Sequence, residues 1–476
     1  MKHFAYNPKS LVADEFICHD EIVESLKFAQ ENKDNLNMLE QILEKATKEK
    51  GLSHREALLL LASDVPEINK KIETLAKQIK LDFYGNRIVL FAPLYLSNYC
   101  VNGCTYCPYH AINKNMPRKK MTQDEIRDEV IALQDMGHKR LALELGEHPQ
   151  MNPLDYVLES IDTIYNIKHK NGSIRRVNVN IAATNEESYA KLKDAGIGTY
   201  ILFQETYNRE RYEKLHPTGP KHDYNRQTEA MDRAMRGGID DVGIGVLFGL
   251  STYLYEFTAL LMHVEHLKAV FNVGPHTISV PRLRPADGIN PQQFADCIND
   301  DIFVKIVACL RIAVPTAGMI VSTRESKETR ERVLELGISQ ISGGSKTSVG
   351  GYSHPTDEDK DSAQFDICDN RTLDEVVYWL LEKGHIPSFC TACYRKHRTG
   401  EQFMKLCANK SIHHFCHPNA LLSLQEYLTD YASPATKALG EKVIAQEVAK
   451  LPEQSAKFVL QHLEDIKSGK GRDFYL

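Results

Sequence analysis

Short apolar runs alternate with longer amphipathic segments through the middle of the chain, from residue 87 to residue 342. The runs have the length of strands, and the segments between them carry apolar residues at helical spacing. A strand followed by a helix, repeated eight times, predicts an α/β fold in which a closed parallel barrel is surrounded by helices. The candidate strands are residues 88–96, 141–145, 177–183, 200–203, 242–248, 277–280, 319–322 and 338–342.

Two further regions flank the predicted barrel. Before it, apolar residues such as Ile22 and Leu26, and then Leu58 and Leu61, recur at helical spacing. After it, a run rich in glycine and serine at residues 342–351 leads into the last part of the chain. We therefore expect an N-terminal helical region at 1–80, the barrel at 81–350 and a mostly helical C-terminal extension at 351–476.

Composition excludes several classes of partner. The chain has 476 residues and a formal net charge of -6, so there is no strong electrostatic reason to expect nucleic acid or an anionic membrane as partner. No apolar stretch reaches the length of a spanning helix, and we expect a soluble, cytoplasmic protein. Six of the eleven cysteines fall into two tight groups, a pattern expected of metal ligands in a reducing compartment.

The first cysteine group directly follows the first candidate strand and consists of Cys100, Cys104 and Cys107. A 4Fe-4S cluster normally takes one cysteine per iron, so three thiolates leave one iron open to a ligand that is not protein. This position is the face on which parallel barrels carry their reactive groups. A three-ligand zinc site is the alternative, although structural zinc needs a fourth ligand.

The string Cys-Val-Asn-Gly-Cys-Thr-Tyr-Cys at residues 100–107 resembles the signature of the radical S-adenosylmethionine (SAM) superfamily. The resemblance implies that the open iron chelates the amino and carboxylate groups of SAM. It also implies SAM contacts from Tyr106 and from Glu147 in a Gly-Glu element, with Glu205 at the ribose and Arg226 at the carboxylate. Taken singly, Glu147, Glu205 and Arg226 could each be an ordinary surface charge.

A second cysteine group, Cys390, Cys393 and Cys416, lies in the C-terminal extension. A CxxC pair with a distant third cysteine can hold either zinc or an iron–sulfur cluster. The nearby histidines could complete a zinc site, whereas a cluster held by three thiolates would again have one open iron. These histidines are His413, His414 and His417.

Both cysteine groups, the stretch at residues 274–285 and the string at residues 322–326 together resemble the tyrosine-lyase maturases of FeFe-hydrogenase. The barrel motifs are shared with the tyrosine lyase of the thiamine pathway, but the second cysteine group is not. The resemblance implies cleavage of the Cα–Cβ bond of L-tyrosine to p-cresol and dehydroglycine, which becomes carbon monoxide and cyanide bound to iron. It also implies a second 4Fe-4S cluster able to carry a fifth iron, an electron donor such as flavodoxin or ferredoxin, and other hydrogenase maturation proteins as partners.

Two other functions stay open at this point. One is a 2-iminoacetate synthase of the thiamine pathway with structural zinc in the C-terminal extension. The other is a non-catalytic iron–sulfur scaffold or carrier. Metal content separates the maturase, which requires about eight or nine irons per chain, from the zinc alternative, which requires about four irons plus zinc. Cleavage of SAM with formation of cresol from tyrosine would exclude the scaffold.

Some site residues follow from this resemblance. We expect His276 to ligate the extra iron, with His263 and His266 on the preceding helix as rivals. Arg324 can hold the tyrosine carboxylate through two hydrogen bonds, with hydroxyl contacts from Ser322 and Thr323; the alternative for Arg324 is a pair with a neighbouring carboxylate such as Glu325. We also expect a route through the barrel interior between the two clusters.

Overall fold

The computed structural model describes residues 4–476 except residues 49, 287, 295 and 354–361. Before the barrel, the chain forms helices that pack against three of the barrel's own helices. Asn35 caps one of them and Ser53 begins another with a capping box, so polar residues define where these helices start. They are α1 (Ala13–Phe16), α2 (His19–Asn32), α3 (Leu36–Ala46), α4 (His54–Ala62) and α5 (Pro66–Tyr84).

A closed barrel of eight parallel strands follows, which confirms the predicted fold class. The last strand pairs with the first, with Leu90 opposite Ile341 in the register, and this pairing closes the sheet. The strands are β1 (Arg87–Ser97), β2 (Arg140–Leu145), β3 (Arg176–Asn180), β4 (Tyr200–Glu205), β5 (Val242–Val246), β6 (Thr277–Ser279), β7 (Gly318–Val321) and β8 (Gln340–Ser342).

Most of the helices between these strands begin at a polar residue whose side chain accepts a backbone N–H. Thr122 accepts the backbone N–H of Glu125, whose carboxylate binds the Thr122 N–H in return, and Gly137 follows the helix with φ 99°. They are α6 (Gln123–Asp135), α7 (Leu154–Asn166), α8 (Glu186–Asp194), α9 (Arg209–Leu215), α10 (Tyr224–Thr228), α11 (Ala230–Arg236), α12 (Tyr253–Phe271), α13 (Asp300–Ala313) and α14 (Lys327–Leu336).

The C-terminal extension is mostly helical, but it also adds a ninth strand, β9 (Ile386–Ser388), to the barrel sheet. This strand pairs with the first three residues of β1, at the end of the barrel where the strands begin. The sequence does not predict it, because a three-residue run with Pro387 at its centre is a poor strand signal. The helices are α15 (Leu373–Glu382), α16 (Ala392–Arg395), α17 (Gly400–Ala408), α18 (His413–Asp430), α19 (Pro434–Val448) and α20 (Glu453–Lys467).

Among the helices that the structure describes, we find none that combines the length and the apolar character needed to span a membrane.

Candidate active site

A cavity of about 230 Å³ opens at the end of the barrel where the strands terminate; we call it the upper cavity. Its walls bring together the first cysteine group and every residue that the sequence assigns to SAM or to tyrosine, except Arg226. Arg226 reaches the same place through an ion pair with Glu147. The upper cavity is lined by Cys100, Cys104, Tyr106, Cys107, Glu147, Glu205, Ser322, Thr323 and Arg324, among others.

The loop that carries the first cysteines is fixed to the neighbouring strand end. The backbone N–H of Val101 donates to the carbonyl of Glu147 (2.8 Å), and the N–H of Gly103 donates to that of Thr218 (3.0 Å). Gly146 lies against the loop so closely that a Cβ there would be 2.4 Å from the Tyr99 carbonyl oxygen and 3.0 Å from the Cys100 Cβ. A residue without a side chain at position 146 therefore lets the two segments meet.

The first cysteine group is suited to a metal cluster by its chemistry. Burial raises the pKa of Cys104, although Lys221 opposes the shift, and burial raises the pKa of Cys107 to about 12. Thiols in such surroundings stay protonated until a cation replaces the proton, and cluster irons bind cysteine as thiolate. The donor set and the cavity beside it fit a cluster with one open iron.

Glu147 is held by two partners on opposite oxygens. Asn102 donates through Nδ2 to its Oε2 (2.7 Å), and Arg226 Nη2 lies 3.0 Å from its Oε1. Asn102 also accepts the backbone N–H of Lys221 (2.9 Å), so one amide connects the cysteine loop with two other segments. The Gly-Glu element and Arg226 thus form one connected polar group beside the cysteines.

Glu205 ends β4 in a strained backbone conformation. Its φ is 69°, in the left-handed region, and the pairing register between β4 and β5 shifts between Phe203 and Glu205. The shift turns the carboxylate into the upper cavity, where Lys221 Nζ lies 2.8 Å from its Oε1. Lys221 was not predicted from the sequence, because no motif marks it. Non-glycine residues with such backbone strain concentrate at functional sites.

Tyr106 lies in the same wall but is hydrogen-bonded away from the cysteines. Its hydroxyl donates to His216 Nε2 (2.7 Å), and His216 Nδ1 in turn donates to the Tyr212 carbonyl (2.7 Å). Burial lowers the pKa of His216 to about 3, with Lys221 acting in the same direction, so the imidazole is neutral. This chain of hydrogen bonds fixes the ring of Tyr106 beside the cysteine loop.

Arg324 lies deeper in the upper cavity, with its guanidinium carbon 3.6 Å from the centre of the Phe365 ring. Its neighbour Glu325 pairs instead with Arg282 and Arg284, so the alternative Arg324–Glu325 pair does not form. Ser322 accepts the backbone N–H of Arg324 (3.3 Å). The Arg324 guanidinium therefore faces the cavity against an aromatic ring.

One charged residue of the cavity wall was missed in the sequence. Glu144 lies on β2 in register with Tyr95 of β1 and Asn180 of β3, and all three side chains line the upper cavity. Burial raises the pKa of Glu144 to about 8, although Arg324 and a hydrogen bond from Asn180 oppose the shift. A signal existed, because a glutamate inside the apolar run at residues 141–145 is unusual unless it has a role.

A second, smaller cavity of about 60 Å³ lies at the opposite end of the barrel, where the strands begin; we call it the lower cavity. Its wall contains Cys390, Cys393, Cys416 and His276 together. Cys393 hydrogen-bonds to Cys416, and this bond, with help from nearby arginines, lowers the pKa of Cys416 although burial opposes it. The three second-group cysteines and the predicted histidine thus share one small space.

Four of the five other candidate histidines have their side chains engaged elsewhere. His413 Nε2 donates to the Asp82 carbonyl (2.7 Å), and His417 Nε2 lies 3.1 Å from Glu447. His266 lies between Asp232 and the carbonyl of Pro8, and His263 Nδ1 lies 2.8 Å from the Tyr207 hydroxyl. None of these four lines the lower cavity. In the part of the chain that the structure describes, no three His, Cys, Asp or Glu side chains converge to hold a single metal ion.

Three buried arginines surround the lower cavity: Arg87, Arg140 and Arg176, each the first residue of its strand. Arg140 donates to the Cys390 carbonyl (2.9 Å), while Nε and Nη2 of Arg87 and Nη1 of Arg176 have no hydrogen-bond partner among the described residues. Burial lowers the pKa of Arg140 to about 10, and the cysteines oppose that shift. These arginines were not predicted, since strand starts are usually assigned to stability.

The upper and lower cavities follow one another along the barrel axis. The upper cavity reaches down to Phe91 of β1 and the lower one reaches up to Val89, two residues away on the same face of the strand. The same step separates Ala142 from Arg140 on β2. Two residues of a strand span about 7 Å, so roughly one layer of side chains lies between the cavities.

Comparisons with known proteins agree with this arrangement. A family model described as the radical SAM superfamily matches residues 94–256, and one described as the biotin and thiamin synthesis associated domain matches residues 279–386. The chain is 30% identical to the 2-iminoacetate synthase of Salmonella typhimurium over 347 residues. This aligned region covers 72% of this chain and 89% of the synthase.

Two solved structures are similar over nearly the whole chain. One is a crystal structure of HydG, a maturase of the FeFe-hydrogenase, with 50% identity and a TM-score of 0.93, covering 97% of this chain and 100% of that one. The other is the FeFe-hydrogenase maturase HydG from Carboxydothermus hydrogenoformans, with 39% identity and a TM-score of 0.83, covering 95% and 100%. Both similarities therefore include most of the C-terminal extension as well as the barrel.

Proposed function

Because the chain belongs to the radical SAM tyrosine lyases, we propose that its two cavities carry out successive halves of one reaction. In the upper cavity, L-tyrosine is cleaved at the Cα–Cβ bond to p-cresol and dehydroglycine. At the lower cavity, dehydroglycine becomes carbon monoxide and cyanide, which bind iron destined for the active-site cluster of FeFe-hydrogenase. The observation that carries this proposal is the second cysteine group, which shares a cavity with His276 at the far end of the same barrel.

The residues around the first cysteine group hold the SAM and its cluster. Cys100, Cys104 and Cys107 would ligate the cluster through three of its irons, which would leave one iron open to SAM. When bound, the cluster supplies an electron and SAM supplies the radical that takes a hydrogen atom from the substrate. The chain positions the SAM through the remaining polar residues. These are Glu147 near the amino group, Arg226 near the carboxylate, Glu205 at the ribose, and Tyr106 beside the cluster.

Arg324 binds the carboxylate of L-tyrosine deeper in the upper cavity. A guanidinium can form two parallel hydrogen bonds to a carboxylate, which fixes the orientation of the amino acid as well as its position. Phe365 supports the guanidinium from one side, and Ser322 and Thr323 lie beside it in the cavity wall. This grip leaves the α-amino group and the Cα–Cβ bond inside the barrel.

The second cysteine group and His276 hold a second cluster and the iron that it carries. Cys390, Cys393 and Cys416 would ligate a second 4Fe-4S cluster, and His276 would bind the fifth iron, which is cargo rather than resident cofactor. The buried arginines of the lower cavity offset the negative charge of the thiolates and of an anionic product. Roughly one layer of side chains separates the two cavities, so dehydroglycine has to cross only that layer to reach the lower cavity without leaving the barrel.

Two kinds of protein partner follow from the same proposal. An electron donor such as flavodoxin or ferredoxin reduces the clusters before each turnover. Other hydrogenase maturation proteins receive the iron with its carbon monoxide and cyanide. Neither class requires a nucleic acid or a membrane.

Infrared spectroscopy of a reduced turnover mixture with SAM and L-tyrosine tests the proposal. We expect bands of iron-bound carbon monoxide and cyanide from the wild type. The Cys390→Ser/Cys393→Ser variant should lose these bands and still form p-cresol, because only the lower site is removed. A Cys297→Ser/Cys368→Ser variant is the matched control, since both cysteines are exposed and lie outside the two groups; it should keep the bands and the cresol.

Other outcomes separate the alternatives. Bands that persist in the Cys390→Ser/Cys393→Ser variant would show that the second cysteines do not collect the products. Four irons and one zinc per chain, with dehydroglycine released to solution, would identify a 2-iminoacetate synthase with a structural zinc. A chain that binds clusters but forms no p-cresol from L-tyrosine would be a scaffold.

A further inference from the structure

Glu144 is an unexplained charge in the wall of the upper cavity. It lies on β2 among the residues that line the upper cavity, and its side chain is partly accessible. Its accessible part therefore faces the cavity. Neither SAM binding nor the grip on the tyrosine carboxylate uses it.

The groups around Glu144 leave its carboxylate without a full ion pair. Asn180 of β3 hydrogen-bonds to it, and Arg324 acts on it only through space. Glu205 at the end of β4 repels it and is itself paired with Lys221. The hydroxyls of Tyr95 on β1 and Tyr109 in the cysteine loop are the other titratable groups near it. A buried carboxylate so placed has capacity for a cationic ligand.

The position of Glu144 relative to Arg324 matches the two charged groups of an amino acid. Arg324 and Glu144 are near enough to influence each other's ionisation, and both line one cavity. An amino acid whose carboxylate lies on Arg324 presents its α-ammonium group a few ångströms away, toward the acidic side of the cavity. Four described carboxylates line this cavity, and three of them already have a cationic partner: Glu147 has Arg226, Glu205 has Lys221, and Glu325 has Arg282 and Arg284. Glu144 is the one without an ion pair among these four.

We propose that Glu144 binds the α-ammonium group of L-tyrosine and removes one proton from it before hydrogen-atom abstraction. This inference rests on the proposed function, with tyrosine as substrate. The inference takes the α-nitrogen as the atom from which the radical removes hydrogen. The nitrogen of an ammonium group has no lone pair to stabilise a radical, so the amine must become neutral first. The proton moves from the nitrogen to a Glu144 oxygen, giving –NH2 and a carboxylic acid, and no electron is transferred.

The properties of the side chain suit this role. Burial raises the pKa of Glu144 to about 8, which brings the carboxylate closer to the basicity of an amine than an exposed glutamate would be. The carboxylate form, which is the base, becomes more populated as the pH rises through 8. General bases of this kind typically contribute a factor of about 100 to 10,000 in rate.

Glu144→Gln tests the proposal, because glutamine keeps the shape and the bond to Asn180 but cannot take the proton. We expect kcat/KM for L-tyrosine to fall about 100-fold or more. In the wild type, kcat/KM should rise between pH 7 and pH 9, and this rise should be absent in Glu144→Gln and present in Glu144→Asp. Glu129→Gln is the control for losing a buried carboxylate, because Glu129 binds the backbone N–H groups of Tyr352 and Ser353 outside the barrel interior; its pH profile should match the wild type.

A second measurement needs no turnover. At pH 9, adding L-tyrosine to the wild type should produce the infrared band of a protonated carboxyl group, and adding it to Glu144→Gln should not. A wild type without this band, or a Glu144→Gln variant with kcat/KM within threefold of the wild type, would overturn the proposal. If the wild type forms no p-cresol, the proposed function fails, and the infrared response to L-tyrosine still decides whether Glu144 takes the proton.

Discussion

The close approach of Gly146 to the first cysteine loop makes Gly146→Ala a sharp perturbation of the site. The added Cβ would lie 2.4 Å from the Tyr99 carbonyl oxygen, whereas a close carbon–oxygen contact is about 3.3 Å. One of the two segments must therefore move by about 0.9 Å. Asn152 resists this movement, because its Nδ2 donates both to the Tyr99 carbonyl (3.0 Å) and to the Gly146 carbonyl (2.7 Å).

Overpacking of this kind costs about 1–3 kcal/mol. Tyr99 precedes Cys100 directly, so we expect the strain to displace the first iron ligand and to weaken cluster binding about 5- to 150-fold. The assay is iron content and electron paramagnetic resonance of the reduced protein. Both measurements use a Cys390→Ser/Cys393→Ser/Cys416→Ser background, so that only the first cysteine group can hold iron. Iron should fall from about four per chain toward zero.

Gly196→Ala provides the matched control for general destabilisation. Gly196 has φ 78° and no atom within 4 Å of an added Cβ, so alanine there costs about 1–2 kcal/mol of backbone strain without steric contact. This variant should lose stability and keep its four irons. A Gly146→Ala protein that binds four irons and cleaves SAM like its parent would refute the reasoning from close contact.

Two further predictions concern stability. Asp369→Asn leaves the fully buried Arg330 without its main counter-charge. We expect it to lower the free energy of unfolding of the cluster-free chain by about 3–5 kcal/mol in urea titrations. An effect below about 1 kcal/mol would contradict this expectation. Burial lowers the pKa of His54, but Glu265 and Glu21 outweigh burial, so the net pKa of His54 is raised in the folded protein. The stabilisation from these two ion pairs is therefore complete below the ordinary pKa of about 6.5, and it is lost as the pH rises through the pKa of the folded state. The difference in thermal midpoint between wild type and His54→Gln should therefore be largest near pH 6 and shrink toward pH 9, and a constant difference would disprove the ionic role.

The barrel could be predicted from the sequence because its strands are continuous apolar runs, which differ clearly from the helical segments between them. The boundaries were less accurate. The third run was predicted to end at residue 183, but β3 ends at Asn180, since the apolar residues that follow line the cavity rather than pair with a neighbour. Strand β9 was missed because its three residues are too few for a periodic pattern.

The cysteine groups could be predicted because their spacing is local, whereas the groups around them come from distant segments. Lys221 meets Glu205 only because the chain returns to the mouth of the barrel after α9. Likewise Arg87, Arg140 and Arg176 start three neighbouring strands, and the pairing of these strands, with Arg140 opposite Arg176 in the register, places them around one cavity. The spacing of these residues in the sequence therefore does not predict that they lie together in the structure.

The length of β1 has a consequence for how the two halves of the reaction are connected. This strand has eleven residues, contributes Arg87 to the lower cavity and leads into Cys100 above. At about 3.3 Å per residue it spans about 33 Å, and neighbouring strands are hydrogen-bonded along its length. The barrel itself therefore sets the separation of the two cysteine groups. In the proposed reaction, the rate of the second half should depend on diffusion of a small molecule along the barrel axis.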